Sequence, residues 1–280
     1  MSTDHRLLMI FAHPDDESFG FAGTMLALAD AGVKMSLIVA TRGEEGEILV
    51  PGLATKENLG EVREGELRAA MEIVGIDDIH FLGFRDSGMA GTPPNHDPRA
   101  FVNQDVNKVA ATIADSIAEL RPTIILTYGP DGIYAHPDHI MVNTVAWPAV
   151  LKAGEDGRWK TPNLYFSAAP KERMRRMAEL PNGPFASMDP DLVASLGMPA
   201  SEITTWIDTT PFADRKREIL MAHRTQVGEE GPFNQLPPEM RRIWFSVETM
   251  RTIPLPWNPD PDDVIAELLP AAAHDHPFRA

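Results

Sequence analysis

Two short segments, His13-Pro14-Asp15-Asp16-Glu17 and His136-Pro137-Asp138-His139, hold imidazoles and carboxylates in a pattern suited to metal chemistry. Each follows an apolar run of strand length. Leu7-Leu8-Met9-Ile10-Phe11-Ala12 precedes the first, and Thr123-Ile124-Ile125-Leu126-Thr127 ends a few residues before the second. The chain has no cysteine, which excludes thiolate ligands and cysteine nucleophiles and leaves any metal to His, Asp and Glu. A hydrolytic zinc site takes three protein ligands and keeps one position open for water. His13, one of Asp15 or Asp16, and one of His136 or His139 meet that need. The surplus residues are then available for proton transfer. A bound metal lowers the pKa of its water toward about 7, and a nearby carboxylate can then act as general base. Taken singly, each residue has a plainer explanation, since an Asp pair before a helix is usually a cap. Two such segments at matching strand ends favour the metal site.

These residues need a frame that brings together two loops about 120 residues apart. The apolar run over 7–12 predicts a buried strand, followed by a helix from Phe19 to Ala31 that Gly32 ends, and then a strand over Val33–Ala40. That spacing is a βαβ unit with parallel strands and a right-handed connection. Val62, Leu67, Ala70, Met71 and Val74 share one face of a helix predicted over Glu57–Val74. Ile79–Leu82 is a short strand, Val106–Leu120 a helix broken by Arg121-Pro122, and Thr123–Thr127 the next buried strand. A helix follows His136 as far as Ala153. Pro14 and Pro137 suit the first turn of a helix, whose positive end favours adjacent carboxylates. Leu164–Ala168 and Thr204–Ile207 read as strands and Asp214–His223 as a helix. Segment 181–202 and the tail beyond Pro254 have turn chemistry without a clear period.

The fold class is therefore α/β: a Rossmann-like open, mostly parallel sheet with helices on both faces and a loop-rich C-terminal elaboration. Residues 1–170 are expected to form the catalytic core. Residues 171–280 are expected to complete the same domain and part of the substrate pocket. In such sheets ligands bind outside the carboxyl ends of the strands, where both His-Pro-Asp segments lie.

Composition narrows the function. Of the 280 residues, 43% are hydrophobic and 24% charged, as in soluble globular proteins, and no stretch reaches the roughly 18 apolar residues of a membrane span. The formal net charge of −16 argues against a nucleic-acid partner, because phosphate binding needs a basic footprint. Met1-Ser2-Thr3-Asp4-His5-Arg6 lacks the basic flank and apolar core of a signal peptide, so a cytoplasmic location is expected. The sequence is compatible with a homo-oligomer and does not set a stoichiometry.

Ala12-His13-Pro14-Asp15-Asp16-Glu17 together with His136-Pro137-Asp138-His139 resembles the signature of the zinc-dependent N-acetylglucosaminyl deacetylase superfamily, the LmbE-like or PIG-L family. Thr41-Arg42-Gly43-Glu44-Glu45-Gly46-Glu47, Arg63 with Glu66, and Arg85-Asp86-Ser87-Gly88-Met89-Ala90-Gly91 agree with it. The last stretch, with Gly132-Ile133-Tyr134-Ala135, is similar to the actinobacterial mycothiol branch. That branch contains a deacetylase of N-acetylglucosaminyl-inositol and an amidase of mycothiol S-conjugates. The resemblance covers residues 7–150 well and, more thinly, the helix ending Ala222-His223-Arg224-Thr225-Gln226. Phe19-Gly20-Phe21-Ala22-Gly23 departs from it in being bulkier.

The resemblance implies that His13, Asp16 and His139 are the metal ligands and that Asp15 is the general base. It also implies that His136 stabilises the oxyanion or protonates the leaving amine, with Asp138 orienting it, and that Tyr134 polarises the acetyl carbonyl. It makes Arg63 and Asp86 sugar contacts and Met89 part of the same pocket. Glu45 and Glu47 follow the carboxyl end of the second strand, within reach of substrate. The plainer alternatives are a surface salt bridge for Arg63 with Glu66, a turn role for Asp86, a solvated loop for Glu45 and Glu47, and a helix-end structural role for His223.

The implied reaction is hydrolysis of the N-acetyl group of a small amino-sugar molecule such as N-acetylglucosaminyl-inositol. One Zn²⁺ per chain is the expected cofactor. Fe²⁺ accepts the same two imidazoles and carboxylate. An amidase acting on thiol S-conjugates shares this chemistry. A phosphoesterase is a more distant alternative, since its two-metal site would need bridging carboxylates and more ligands than the sequence offers.

Overall fold

The computed structural model of the chain describes every residue except 1–3, 181, 182, 184, 186, 187, 229, 230, 232, 233, 270–275, 279 and 280. The strands are β1 (Arg6–Phe11), β2 (Lys34–Thr41), β3 (Ile79–Phe84), β4 (Ile124–Thr127), β5 (Asn163–Ser167), β6 (Thr205–Asp208) and β7 (Val247–Ile253). The helices up to β5 are α1 (Asp16–Asp30), α2 (Leu59–Val74), α3 (Val106–Leu120), α4 (Gly132–Ala135) and α5 (Pro137–Glu155). Beyond it come α6 (Lys171–Ala178), α7 (Pro190–Ser195), α8 (Ala213–Ala222), α9 (Pro238–Ser246) and α10 (Val264–Leu268).

The strands form one sheet in the order β3-β2-β1-β4-β5-β7-β6. Neighbours from β3 through β5 are parallel, and β7 runs antiparallel to both β5 and β6. An unbroken apolar run is what a central parallel strand requires, because helices cover both of its faces. Leu7 to Phe11 are accordingly no more than 1% exposed. Phe21 to Leu28 of α1 are all buried, because this helix packs against β1, β7, α2 and α8. Its Phe21 ring stacks on Phe11 at 5.5 Å, which gives the bulky Phe19-Gly20-Phe21 run a packing role. At Gly23 a Cβ would lie 2.5 Å from Thr209 Cβ, so the close approach there requires glycine. α3 and α5 pack on each other, and α5 also touches β1 and β4.

The strand order reverses beside β1, whose neighbours are β2 and β4. Chains leaving adjacent strands in opposite directions open a crevice at their carboxyl ends. Ala12-His13 leaves β1 there, and the loop after β4 leads to His136. The α/β class expected from the sequence is the one observed.

Several boundaries differ from expectation. α1 begins at Asp16 rather than Phe19, so Pro14 sits in the preceding turn, whereas Pro137 does occupy the first position of α5. Strand β7 was not expected, because it buries Glu248 in the Val247-Glu248-Thr249-Met250 stretch and so hides its strand pattern. Helices α6, α7, α9 and α10 are too short for a clear period. Met1-Ser2-Thr3 and the prolines Pro181, Pro184 and Pro232 lie outside the described residues. Among the described residues, no helix is long and apolar enough to cross a membrane.

Candidate active site

Three candidate ligand residues converge at the switch point. His139 Nε2 lies 3.1 Å from Asp16 Oδ1 and 3.3 Å from His13 Nδ1, and His13 Nδ1 lies 3.5 Å from Asp16 Oδ2. The opposite nitrogen of each ring is already committed. Gly132 O can only accept, so His139 Nδ1, 3.1 Å away, carries the proton. Asp138 Oδ2 lies 3.1 Å from His13 Nε2 and likewise places that proton away from the cluster. Each imidazole thus turns a lone pair toward Asp16, the outer-sphere arrangement of metal-ligating histidines. Charge points the same way. Burial by itself lowers the His13 pKa, but the Asp86 charge and hydrogen bonds to Asp138, Asp16 and Asp86 raise it well above the ordinary value. A pocket that pulls a proton onto a buried imidazole is one that favours a cation.

Other groupings are less suited to an ion. His13, Asp86 and Asp138 also lie close together, but Asp138 Oδ2 accepts from Ser87 N (2.9 Å) and its Oδ1 accepts the Ser87 hydroxyl. Asp86 accepts from Gly88 N (2.8 Å) and Glu45 N (3.1 Å). Both oxygens of each of these carboxylates accept from protein donors, whereas Asp16 accepts the His13 amide on Oδ2 at 2.7 Å and turns Oδ1 to His139 Nε2. The three histidines 13, 136 and 139 form the other close group, with His136 beside the Asp16 triangle.

Asp15 is the N-cap residue of α1, yet its side chain makes no capping bond and its backbone is left-handed, with φ 115°. A non-glycine residue there is strained, and such strain persists where the surroundings over-determine it. The surroundings are Arg63 and Glu17. Arg63 Nη2 lies 2.6 Å from Pro14 O and 3.1 Å from Asp15 Oδ2, and its Nη1 donates to Gly43 O at 2.7 Å. Gly43 has no room for a side chain, since a Cβ would lie 2.1 Å from Arg63 Nη1. Glu17 Oε2 accepts the Asp15 amide at 3.0 Å. Burial, countered by the Arg63 charge and reinforced by that of Asp16, raises the Asp15 carboxyl to about 6. A base poised near neutrality suits proton abstraction.

His136 N-caps α5, and its Nδ1 accepts the Asp138 backbone N–H at 3.2 Å. The contact expected between Asp138 and His136 is made by the Asp138 backbone amide, while the Asp138 carboxylate holds His13. A two-residue spacing lets the amide turn back to the ring, whereas the side chain points into the sheet crevice. With Nδ1 accepting, a neutral His136 carries its proton on Nε2.

Tyr134 meets His136 and His139 edge-on at 5.9 and 4.9 Å. Burial, with the charges of Asp16, Asp15 and Asp86, pushes its phenol well above the ordinary value, which keeps it a donor. Its loop is strained, with φ of 67° at Ile133 and 62° at Ala135.

The residues expected to touch substrate differ in placement. Arg63 is 4% exposed and makes no bond to Glu66, which instead holds Thr225 N (2.8 Å) and its hydroxyl (2.6 Å). Asp86 is 3% exposed and 3.5 Å from His13 Nε2. Burial opposes its ionisation, but His13 and the Gly88 amide hold its carboxyl well below the usual range. Met89 is 38% exposed. Glu47 is exposed, its carbonyl accepts from Gln226 Nε2 at 2.8 Å, and among the described residues its carboxylate forms no bond to the cluster. Glu45 pairs with Arg85.

Sequence reasoning missed four residues. Tyr128 stacks on His139 with 4.2 Å between centroids, and its hydroxyl accepts from Ala12 N at 3.0 Å. Its position directly after β4 was the available signal. Ser87 was visible only as part of a turn, Glu17 as the end of a motif, and His223 as a helix end. His223, 0% exposed, lies 2.9 Å from Glu17 Oε1.

A mostly parallel sheet with a candidate His/Asp metal-binding group at its switch point defines the class, an α/β fold with a candidate metal site. More narrowly, the chain belongs to the PIG-L family, whose model, described as GlcNAc-PI de-N-acetylase, matches residues 8–150. A protein of Geodermatophilus obscurus named 1D-myo-inositol 2-acetamido-2-deoxy-alpha-D-glucopyranoside deacetylase is 36% identical over 274 residues, covering 90% of this chain and 93% of its own. One of the same name from Streptomyces avermitilis is 39% identical over 267 residues, covering 88% and 90%. Among solved structures, N,N'-diacetylchitobiose deacetylase from Pyrococcus horikoshii matches with a TM-score of 0.59 at 19% identity, over 89% of this chain and 83% of its own. That likeness is one of fold. Membership of this family makes the chain an amidohydrolase of the deacetylase type.

Proposed function

We propose that the protein removes the N-acetyl group from an N-acetylglucosaminyl-inositol-like small molecule, giving acetate and a free amine. The observation that carries the chemistry is the convergence of His13 Nδ1, Asp16 and His139 Nε2 beside Asp15. Near full-length identity of 36–39% to deacetylases named for that glycoside supports the substrate class.

His13, Asp16 and His139 would hold one divalent ion, which we take to be Zn²⁺; Fe²⁺ suits the same donors. When bound, such an ion acidifies water and polarises an amide carbonyl. Asp15 removes the proton from the attacking water and passes it to the departing amine nitrogen. His136 donates from Nε2 to the developing oxyanion, because its Nδ1 is occupied by the Asp138 amide. Tyr134, whose ring meets those of His136 and His139 edge-on, adds a second donor. The water oxygen bonds to the carbonyl carbon, the amide C–N bond breaks, the acyl group departs as acetate with that oxygen, and the amine takes the proton.

Arg63 and Asp86, which adjoin Asp15 and His13, are assigned to the sugar together with Met89 and Glu47, exposed on the loops after β3 and β2. Residues 171–280 we assign to the same unit, since β6 and β7 extend its sheet. The substrate is a small molecule, and we place the enzyme in the cytoplasm. The test is acetate release from a panel of N-acetylglucosamine glycosides, with metal content measured in parallel. Faster cleavage of a thiol S-conjugate than of the inositol glycoside would replace this substrate with the amidase one.

A further inference from the structure

Asp15 takes a left-handed backbone at a helix start that its own side chain does not cap. An aspartate at a helix N-cap ordinarily folds back onto the amides of the first turn. Here the carboxylate is turned to Arg63, and the Asp15 amide is bound by the side chain of Glu17, two residues on. Glu17 is 0% exposed and reached by three donors. Its Oε2 takes the Asp15 N–H at 3.0 Å, and its Oε1 takes the Ser18 hydroxyl and faces His223 Nε2 at 2.9 Å. His223 comes from the end of α8, 206 residues along the chain, and Ser18 Oγ is 3.0 Å from the same Nε2. His223 Nδ1 is buried without a hydrogen-bond partner among the described residues, so Nε2 is the ring's polar anchor.

We propose that Glu17 and His223 are positioning residues for the reaction: His223 fixes Glu17, and Glu17 fixes the left-handed backbone that aims the Asp15 carboxylate at the substrate amide. Neither needs to touch substrate or metal. The C-terminal part of the chain thereby acts on the chemical step through a buried contact. This rests on the assignment of Asp15 as the base.

The test uses the zinc-loaded full chain and N-acetylglucosaminyl-inositol, with His223→Leu, His223→Gln and Glu17→Gln beside the wild type. Leu removes the donor, and Gln restores one. Misplacement of a catalytic group by about 1 Å costs up to about a hundredfold. His223→Leu is expected to lose about tenfold to a hundredfold in kcat, with KM and zinc per chain unchanged, and His223→Gln to recover most of that loss. A crystal structure of His223→Leu should show Asp15 out of the left-handed region or its carboxylate off Arg63. An unchanged kcat, a loss confined to KM or zinc content, or an Asp15 that has not moved would overturn the proposal. If His223→Leu does not fold, Glu17→Gln decides. Its single acceptor oxygen cannot serve three donors, so kcat should fall about tenfold at constant KM. Unaltered kcat there refutes it equally. No acetate from the wild type would instead sink the assigned reaction, and the Asp15 conformation in the variant crystal would still decide the positioning claim.

Discussion

His13 Nε2 and Asp138 Oδ2 lie 3.1 Å apart across 125 residues of chain, and this bond helps to set which nitrogen of the His13 ring turns toward Asp16 and His139. The Asp138 carboxylate is itself fixed by the amide and hydroxyl of Ser87. Orientation therefore passes from the loop after β3, through α5, to the residue that follows β1.

Asp138→Ala should weaken metal binding by about 10–100-fold while leaving the fold intact, because a ligand histidine loses the partner that sets its tautomer. Chelator competition with metal analysis measures it. An unchanged metal affinity would show that Asp138 has another role.

Asp15→Ala should keep its metal and lose about 10²–10⁴-fold in kcat, the usual contribution of a general base. His13→Ala should lose the metal itself. Metal content and steady-state kinetics separate the two, and a fully active Asp15→Ala would remove it as the base.

Lys216 and Glu248 form a buried ion pair at 2.7 Å, each side chain 3% exposed, and Glu248 also accepts from Gly23 N (2.9 Å) and Thr24 N (2.7 Å). Removing one partner strands the other charge. Lys216→Met should cost about 3–5 kcal/mol of stability, read by urea unfolding, and adding Glu248→Gln should restore part of it. A cost below about 1 kcal/mol, the range of exposed pairs, would mean that the pair is solvated.

Stability should also carry a pH signature from His223. Burial lowers its pKa, but the Glu17 charge and hydrogen bond, with Asp15 adding and Arg63 opposing, leave it raised above 6.5. The folded state then binds the proton more tightly than the unfolded state. The stabilisation is fully present below the unfolded value and is lost as pH rises through the folded one. The difference in Tm between wild type and His223→Gln should be largest in mild acid and shrink toward alkaline pH. A difference that grew with pH would reverse the sign.

The sheet core was legible because a central parallel strand needs a continuous apolar run, and Leu7–Phe11 and Ile124–Thr127 are such runs. The two His-Pro-Asp segments were legible as candidate ligands because in such sheets ligands bind outside the carboxyl ends of the strands. The strand β7 was not, because Glu248 is tolerated inside it only by virtue of Lys216 and the α1 amides, partners that lie far away in sequence.

By itself the sequence determined the frame and the chemistry available to it. Apolar runs placed β1 and β4, the absence of cysteine restricted ligands to imidazole and carboxylate, and two His-Pro-Asp segments supplied them. Only the tertiary structure decided which of those groups meet. It turned the Asp138 carboxylate toward His13, set Arg63 against Asp15, and brought His223 from 206 residues away onto Glu17. The reason is physical: local periodicity sets which face of an element is buried, whereas a hydrogen bond needs donor and acceptor within about 3 Å in a fixed direction. That relation exists only once distant elements have packed.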